Sequence, residues 1–235
     1  MDPENFYRED VFLSELRHIL DRKKSKIWNA HQQMQLSFLQ LRGVKSNTNF
    51  LDLGCGPMRL GSVLIPKLVS GWYYGQDINS DTIKFGYDVL NECGIDNNIN
   101  YTLFSSEFFN LSAVDRLIDI AFSNSLFSHL SINSIYTCLL QLRHVLKPAG
   151  VYYATFFDIP VTHSWLDPFA RNKWGNKFYT YPNQDPYHYH FSLLEAVAKQ
   201  AGYCVDLLND YNHPTQTMAC FRLQKTLEIE QLLAN

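Results

Sequence analysis

The chain has 235 residues, 46% of them hydrophobic and 18% charged, with a formal net charge of −3 at pH 7. That length suits one α/β domain and the apolar fraction supplies a large core, which excludes wholesale disorder. The mildly acidic balance excludes a strongly basic nucleic-acid footprint.

Five scattered cysteines (55, 93, 138, 204 and 220) include no CxxC pair, and the polar N-terminus MDPENFYRED is no secretory signal. No apolar stretch reaches the roughly 18 residues of a membrane span. The sequence is therefore expected to be a reduced, cytoplasmic protein.

Residues 9–42 are predicted helical. Val11, Phe12, Leu16, Ile19 and Leu20 recur at helical spacing, and Met34, Leu36, Phe38, Leu39 and Leu41 do so again. The basic run Arg22-Lys23-Lys24-Ser25-Lys26 between them reads as a solvated helix end, and Gly43 as the stop. Short apolar runs then alternate with longer periodic segments. Strands are predicted at 49–53, 72–77, 100–103, 118–122 and 151–157, and helices at about 59–69, 80–93, 107–116 and 132–146. Strands separated by helices imply βαβ units and a parallel sheet with right-handed crossovers. Lys147-Pro148-Ala149-Gly150 is turn chemistry ahead of the fifth strand.

After Phe157 the alternation breaks. Residues 158–190 hold Trp165, Phe169, Trp174, Phe178, Tyr179, Tyr181, Tyr187 and Tyr189 with four prolines. This reads as a long irregular insertion, an aromatic lid over a substrate or a loop packing its own rings. A helix at 192–201 stops at Gly202. Residues 203–208 and 217–223 read as an antiparallel pair joined by a polar loop, 209–215, and 225–235 as a short or frayed helix. The chain thus divides into an N-terminal helical segment, 1–44, and a body, 45–235, within one structural domain.

The most informative stretch is Phe50-Leu51-Asp52-Leu53-Gly54-Cys55-Gly56. An apolar strand runs into two glycines one residue apart, which permit positive φ and close approach of a ligand to the main chain. Such a loop at a strand's carboxyl end is where open α/β sheets take nucleotide-like ligands. Asp52 is placed to hold the loop or reach a ligand cation. Asp77 ends the next strand, about twenty residues on, where a carboxylate can accept from two ribose hydroxyls. No Gly-Lys-Ser/Thr phosphate loop is present. Arg59 stands where a dinucleotide fingerprint wants Gly or Ala, so the ligand is expected to lack a pyrophosphate, and a nicotinamide-dependent oxidoreductase is disfavoured.

Asp52-Leu53-Gly54-Cys55-Gly56 resembles the first motif of class I S-adenosylmethionine-dependent methyltransferases. The stretch Ile118-Asp119-Ile120-Ala121-Phe122-Ser123-Asn124-Ser125-Leu126-Phe127-Ser128-His129-Leu130 is similar to the fourth-strand motif of the small-molecule members. Leu146-Lys147-Pro148-Ala149-Gly150 resembles the turn before the fifth strand. The resemblance covers roughly residues 45–224. It implies a Rossmann-like α/β fold: a seven-stranded, mostly parallel sheet with a C-terminal antiparallel hairpin and helices on both faces.

It also implies S-adenosylmethionine as cofactor and S-adenosylhomocysteine as product. Gly54 and Gly56, with Cys55 between them, would line the methionine portion, Asp77 would take the ribose hydroxyls and Ile78 would pack on adenine. Asn124 and Ser125 would face the cofactor near the sulfonium. Two departures stand out: Met58 replaces a frequent third glycine, and Ser105 and Ser106 replace the acid that often binds the adenine amine.

Methyl transfer needs a general base only when the nucleophile keeps its proton. The candidates are His129 after the fourth strand, Asp158 at the tip of the fifth, and His163 and His188 in the insertion, with His190 beside them. No carboxylate or cysteine stands at ligand spacing near these histidines, so no metal is expected. Arg171 and Lys173 are candidates for pairing with a substrate anion, or are solvated charges. The expected acceptor is a small molecule, methylated at O, N or C. The alternatives are an RNA or protein acceptor and a non-catalytic cofactor-binding protein of the same fold.

Overall fold

The computed structural model describes residues 26–96, 100–173 and 176–224. The helical reading of 9–25, the basic run ahead of Lys26, Trp174 and the tail 225–235 lie outside them. The elements are α1 (Lys26–Leu41), β1 (Asn49–Leu53), α2 (Gly61–Leu64), β2 (Trp72–Asp77), α3 (Ser80–Glu92), β3 (Tyr101–Ser105), β4 (Ile118–Ser123), α4 (Ile132–Arg143), β5 (Leu146–Phe156), β6 (Phe169–Lys173), β7 (Asn176–Thr180), α5 (Phe191–Gln200), β8 (Tyr203–Leu208) and β9 (Thr217–Leu223).

Seven strands form one sheet in the order β3-β2-β1-β4-β5-β9-β8, and β6 and β7 form a separate hairpin. The first five are parallel. β9 runs antiparallel between β5 and β8. Successive strands build outward from β1 in one direction and from β4 in the other. Between β1 and β4 the connections diverge, which opens a crevice at the strands' carboxyl ends.

Alternating side chains feed two cores, one on each face of the sheet. In β1, Phe50 joins the α1 and α3 side, with Phe38, Leu39, Ile83 and Leu90, while Leu51 and Leu53 join the α4 and α5 side, with Ile135, Leu139 and Leu194. Tyr73 and Tyr74 divide in the same way. Cover on both faces is why β1 and β4 read as nearly continuous apolar runs. The edge of Phe38 on α1 meets Tyr153 on β5 with ring centroids 5.2 Å apart, which fixes α1 to the sheet. Among the described residues, no helix is long and apolar enough to cross a membrane.

Four local expectations change. The helix predicted at 59–69 is the single turn α2 plus a 3-10 turn, Ile65–Lys67, because Pro66 interrupts it. No helix forms at 107–116. Phe108 and Phe109 hold positive φ (51° and 55°), and the Asn110 side chain accepts from the Ser112 N–H at 3.0 Å, a turn that competes with helix. The apolar residues there serve tertiary packing, with Leu111 buried in the α4 core.

Residues 147–150 are extended within β5 rather than a turn, alongside a register irregularity between Ile118 and Ile120. The insertion at 158–190 is not wholly irregular, since it contains the β6–β7 hairpin. The hairpin is held by the Arg171 guanidinium, which donates to the carbonyls of Asp158 and Thr215 and lies over the rings of Phe157 and Phe169. Those bonds occupy Arg171 as a rivet of the insertion.

Candidate active site

The glycine loop leaves β1 in a left-handed path: Gly54, Gly56 and Met58 have φ of +67°, +53° and +60°. A Cβ added to Gly56 would meet nothing within 4 Å, so its main chain faces open space. A Cβ on Gly54 would come 3.1 Å from Leu126, which follows β4. For a non-glycine residue such as Met58, the left-handed conformation costs about 1–2 kcal/mol. The side chain offsets this by complete burial. Gly61 and Gly86 leave the room: an added Cβ would lie 2.1 Å from Met58 Cε at Gly61 and 2.9 Å from its Cγ at Gly86. The bend expected of a third glycine is therefore kept, with a methionine anchored beneath it.

Asp77, at the end of β2, grips the loop directly. Its Oδ2 accepts from the Gly56 N–H at 3.0 Å and its Oδ1 from the Asn79 N–H at 3.0 Å. Burial pushes this carboxyl up, while the backbone N–H groups of Asn79, Gly56 and Ile78 pull it back. Each oxygen keeps a lone-pair direction for a ligand hydroxyl. Ile78 is 62% exposed. Cys55 is buried and donates its N–H to the Gln76 carbonyl at 2.9 Å. Ser105 is level with Asp77 on β3 and exposed. Ser106 donates its N–H to the Asp77 carbonyl at 3.1 Å, and its buried hydroxyl has no partner.

Asp52 lies below the loop, buried, accepting from the Tyr73 hydroxyl at 2.6 Å. Burial raises its pKa to about 7. The Tyr73 bond opposes the rise, the Asp77 charge adds to it and Arg59 again opposes it. Arg59 belongs to the same cluster, with its guanidinium 4.6 Å from the Trp28 ring centroid.

At the end of β4, Ser125 has φ +65° and donates its N–H to Thr155 Oγ1 at 2.7 Å. Asn124 Oδ1 accepts from the Tyr211 hydroxyl at 2.6 Å. Tyr211 comes from the 209–215 loop and packs against Phe38 at 4.9 Å and Phe122 at 6.4 Å. It also lines a cavity of ≈ 700 Å³ between α1 and this loop, with Met34, Phe38, Leu41 and Pro214 on its walls and Asp210 at its side.

The base candidates differ in what their nitrogens and oxygens already do. His129 Nδ1 sits 2.8 and 2.9 Å from the two carboxylate oxygens of Asp185, and among the described residues its Nε2 makes no hydrogen bond. His188 is fully buried, with Nδ1 2.9 Å from Thr180 Oγ1 and Nε2 3.2 Å from the Trp165 carbonyl. His163 Nε2 lies 3.2 Å from the Asp167 carbonyl, and His190 Nε2 lies 2.9 Å from the His163 carbonyl. The Asp158 carboxyl is raised by burial, Arg171 and the N–H of Phe191 at the start of α5 draw it down, and its Oδ1 is buried without a partner. The insertion docks beside the post-β4 turn through the Asp185–His129 pair and the Tyr187 N–H to Ser128 carbonyl bond of 2.7 Å. Its aromatic rings largely pack on their neighbours, as Phe178 does on Phe157 at 5.8 Å and Tyr187 on Tyr189 at 6.4 Å.

The structure thus gathers Asp52, Gly54, Cys55, Gly56, Asp77, Ile78, Ser105, Ser106, Asn124 and Ser125 at one end of the sheet, at its switch point. Sequence reasoning missed Tyr211, whose only signal was a lone tyrosine in a polar loop, and Gln35, buried on α1 with an unpartnered Oε1. Among the described residues, no three His, Cys, Asp or Glu side chains stand together to hold a metal ion.

A family model described as a methyltransferase domain matches residues 44–218. No curated protein matches the sequence. Among solved structures, an S-adenosylmethionine-dependent methyltransferase from Clostridium acetobutylicum ATCC 824 is similar at 12% identity and TM-score 0.62, over 91% of this chain and 99% of that one. Magnesium protoporphyrin IX methyltransferase from Synechocystis PCC 6803, with bound S-adenosylhomocysteine, is 12% identical at TM-score 0.58, covering 83% and 84%. A methyltransferase from Aquifex aeolicus is 18% identical at TM-score 0.58, covering 79% and 86%.

Proposed function

This chain belongs to the class I S-adenosylmethionine-dependent methyltransferases, and we propose that it methylates an O, N or C atom of a small-molecule acceptor. The observation that carries this reading is the crevice between β1 and β4. There the Gly56 main chain faces open space and Asp77 ties the loop to β2; on the elements that adjoin the loop, Ser106 Oγ after β3, Arg59 Nε after the glycines and Gln35 Oε1 on α1 are buried without partners. Unpartnered buried polar atoms are costly and call for a ligand or water. A nucleoside carrying a charged arm fits that set.

S-adenosylmethionine held there would supply an electrophilic methyl group. Gly54 and Gly56 would offer main chain to the amino-acid arm, and Asp77 would accept from the ribose hydroxyls. Ile78 would lie against adenine, and Ser105 and Ser106 would take the adenine amine in place of an acid. Asn124, steadied by Tyr211, and Ser125 border the reacting centre. Alignment and exclusion of water supply most of the acceleration.

Where the acceptor keeps a proton, His129 is the residue to receive it at Nε2. The Asp185 carboxylate orients its ring through Nδ1. In His188 both ring nitrogens are engaged, so it organises the insertion instead. The docked insertion would close the acceptor side. The same reading places the protein in the cytoplasm, supported by five cysteines that are all free.

The test is incubation with methyl-labelled S-adenosylmethionine and a cell extract resolved into metabolites, RNA and protein. Label in the metabolite fraction, lost when S-adenosylhomocysteine is added in excess, is expected. Label confined to RNA or protein would overturn the small-molecule assignment.

A further inference from the structure

Arg59 carries a largely enclosed guanidinium whose Nε lacks a hydrogen-bond partner, with Asp52 acting on it only through its charge. Arg59 follows the glycine loop by three residues and makes no ion pair among the described residues, and its Nε is shut from solvent with no acceptor. Leaving a guanidinium N–H shut from solvent without an acceptor is unfavourable, yet the surroundings hold it in place. The Trp28 ring lies under it at 4.6 Å, a cation–π contact. Gln32 Nε2 donates to the Arg59 carbonyl at 2.7 Å and to Ser62 Oγ at 3.1 Å, which pins the backbone.

Its charged neighbour, Asp52, is engaged with Tyr73. Tyr211 sits within electrostatic range of both Arg59 and Asp52 and is hydrogen-bonded by Gln35. Arg59 Nε is an unsatisfied donor and Gln35 Oε1 an unsatisfied acceptor, and both side chains act on Tyr211, Gln35 by a hydrogen bond and Arg59 by its charge. A zwitterion needs that pairing.

We infer that Arg59 reads the carboxylate of the cofactor's amino-acid arm, with Gln35 Oε1 accepting from the ammonium. The inference rests on the cofactor reading above and deepens it. A guanidinium meets a carboxylate with two parallel N–H bonds, so the interaction is specific for the planar anion as well as strong. The Trp28 ring holds the Arg59 guanidinium on a backbone that Gln32 fixes, so less side-chain freedom is lost when the carboxylate arrives. The glycine loop supplies the contour and Arg59 the charge that tells an amino-acid-bearing nucleoside from a bare one. A carboxylate on the acceptor would satisfy the same chemistry, so the experiment is done without acceptor.

Calorimetry compares S-adenosylhomocysteine with its decarboxylated analogue, S-adenosyl-3-thiopropylamine, which keeps the ammonium and lacks only the carboxylate. The full chain is expected to bind the analogue about thirtyfold more weakly. In Arg59→Met that ratio should collapse to within about twofold, with Arg59→Lys in between. Equal binding of the two ligands by the unaltered protein would overturn the role of Arg59 without help from any variant. So would a variant that weakens both ligands alike, since that is the signature of a damaged loop. If the unaltered protein binds neither ligand, the cofactor reading itself fails and takes this inference with it. Binding of S-adenosylhomocysteine with an unchanged ratio in Arg59→Met leaves the cofactor reading intact and removes only Arg59.

Discussion

Asp52 shows how the site sets its own demands against stability, and Asp52→Asn is the perturbation that measures it. Its carboxyl has a pKa of about 7 when folded, against 3.8 as the ordinary value, chiefly because burial disfavours the charge. The folded state therefore binds the proton more tightly than the unfolded chain does. Stability falls as pH rises from about 4 towards 7 and levels off above. The gap is about 3 pH units at about 1.4 kcal/mol each, so ionising Asp52 costs about 4 kcal/mol at alkaline pH. Asparagine cannot ionise but can still accept from the Tyr73 hydroxyl, which lies 2.6 Å from Asp52 Oδ2.

Its amide N–H group introduces an offset of about 1–3 kcal/mol if it finds no acceptor, and that offset does not vary with pH. Urea unfolding of both proteins at pH 4, 6 and 8 isolates the ionisation. The stability of Asp52→Asn relative to the unaltered protein should improve by about 3–4 kcal/mol from pH 4 to pH 8. A difference that stays constant, or shrinks towards alkaline pH, would refute the buried-charge argument. The carboxyl's retention at such a cost fits a group held for a ligand rather than for the fold.

Two further changes probe neighbouring parts of the account. Gly56→Ala should lose only about 1–2 kcal/mol of stability, the cost of a left-handed alanine. Its methyl group points into open space. It should nonetheless weaken S-adenosylhomocysteine binding at least tenfold by calorimetry, and unchanged affinity would mean that the ligand does not approach that main chain. Arg171→Ala removes the donors to the Asp158 and Thr215 carbonyls. Limited proteolysis should then cut within 158–190 at least tenfold faster while the sheet stays protected, whereas an unaltered cleavage pattern would contradict the rivet.

The parallel sheet was legible because its strands are apolar on both faces, so periodicity and turn residues marked them directly. Asp77 and the two glycines were legible because their spacing follows from one βα unit. The turn at 107–116 was not. Leu111 and Val114 look helical in spacing but serve long-range packing against the α4 core, and the positive φ of Phe108 and Phe109 has no sequence signal. The β6–β7 hairpin was obscured because Arg171, a charged residue in an aromatic tract, is held by carbonyls distant in sequence. Tyr211 and Gln35 reach the site across 87 and 24 residues from Asn124 and Arg59, a juxtaposition that exists only after α1 and the β8–β9 loop pack together. Met58 stands where a third glycine is frequent, and its fit became visible only in the fold, where Gly61 and Gly86 provide its space.

The most direct measurement of the central claim is calorimetric titration of S-adenosylhomocysteine into the full chain and into Asp77→Ala. The account predicts one site per chain with micromolar affinity in the first. In the second it predicts a loss of about 2 kcal/mol or more, since Asp77 holds the Gly56 N–H and, in the proposed site, would accept from the ribose hydroxyls. No heat of binding in either protein, or equal affinity in both, would contradict it.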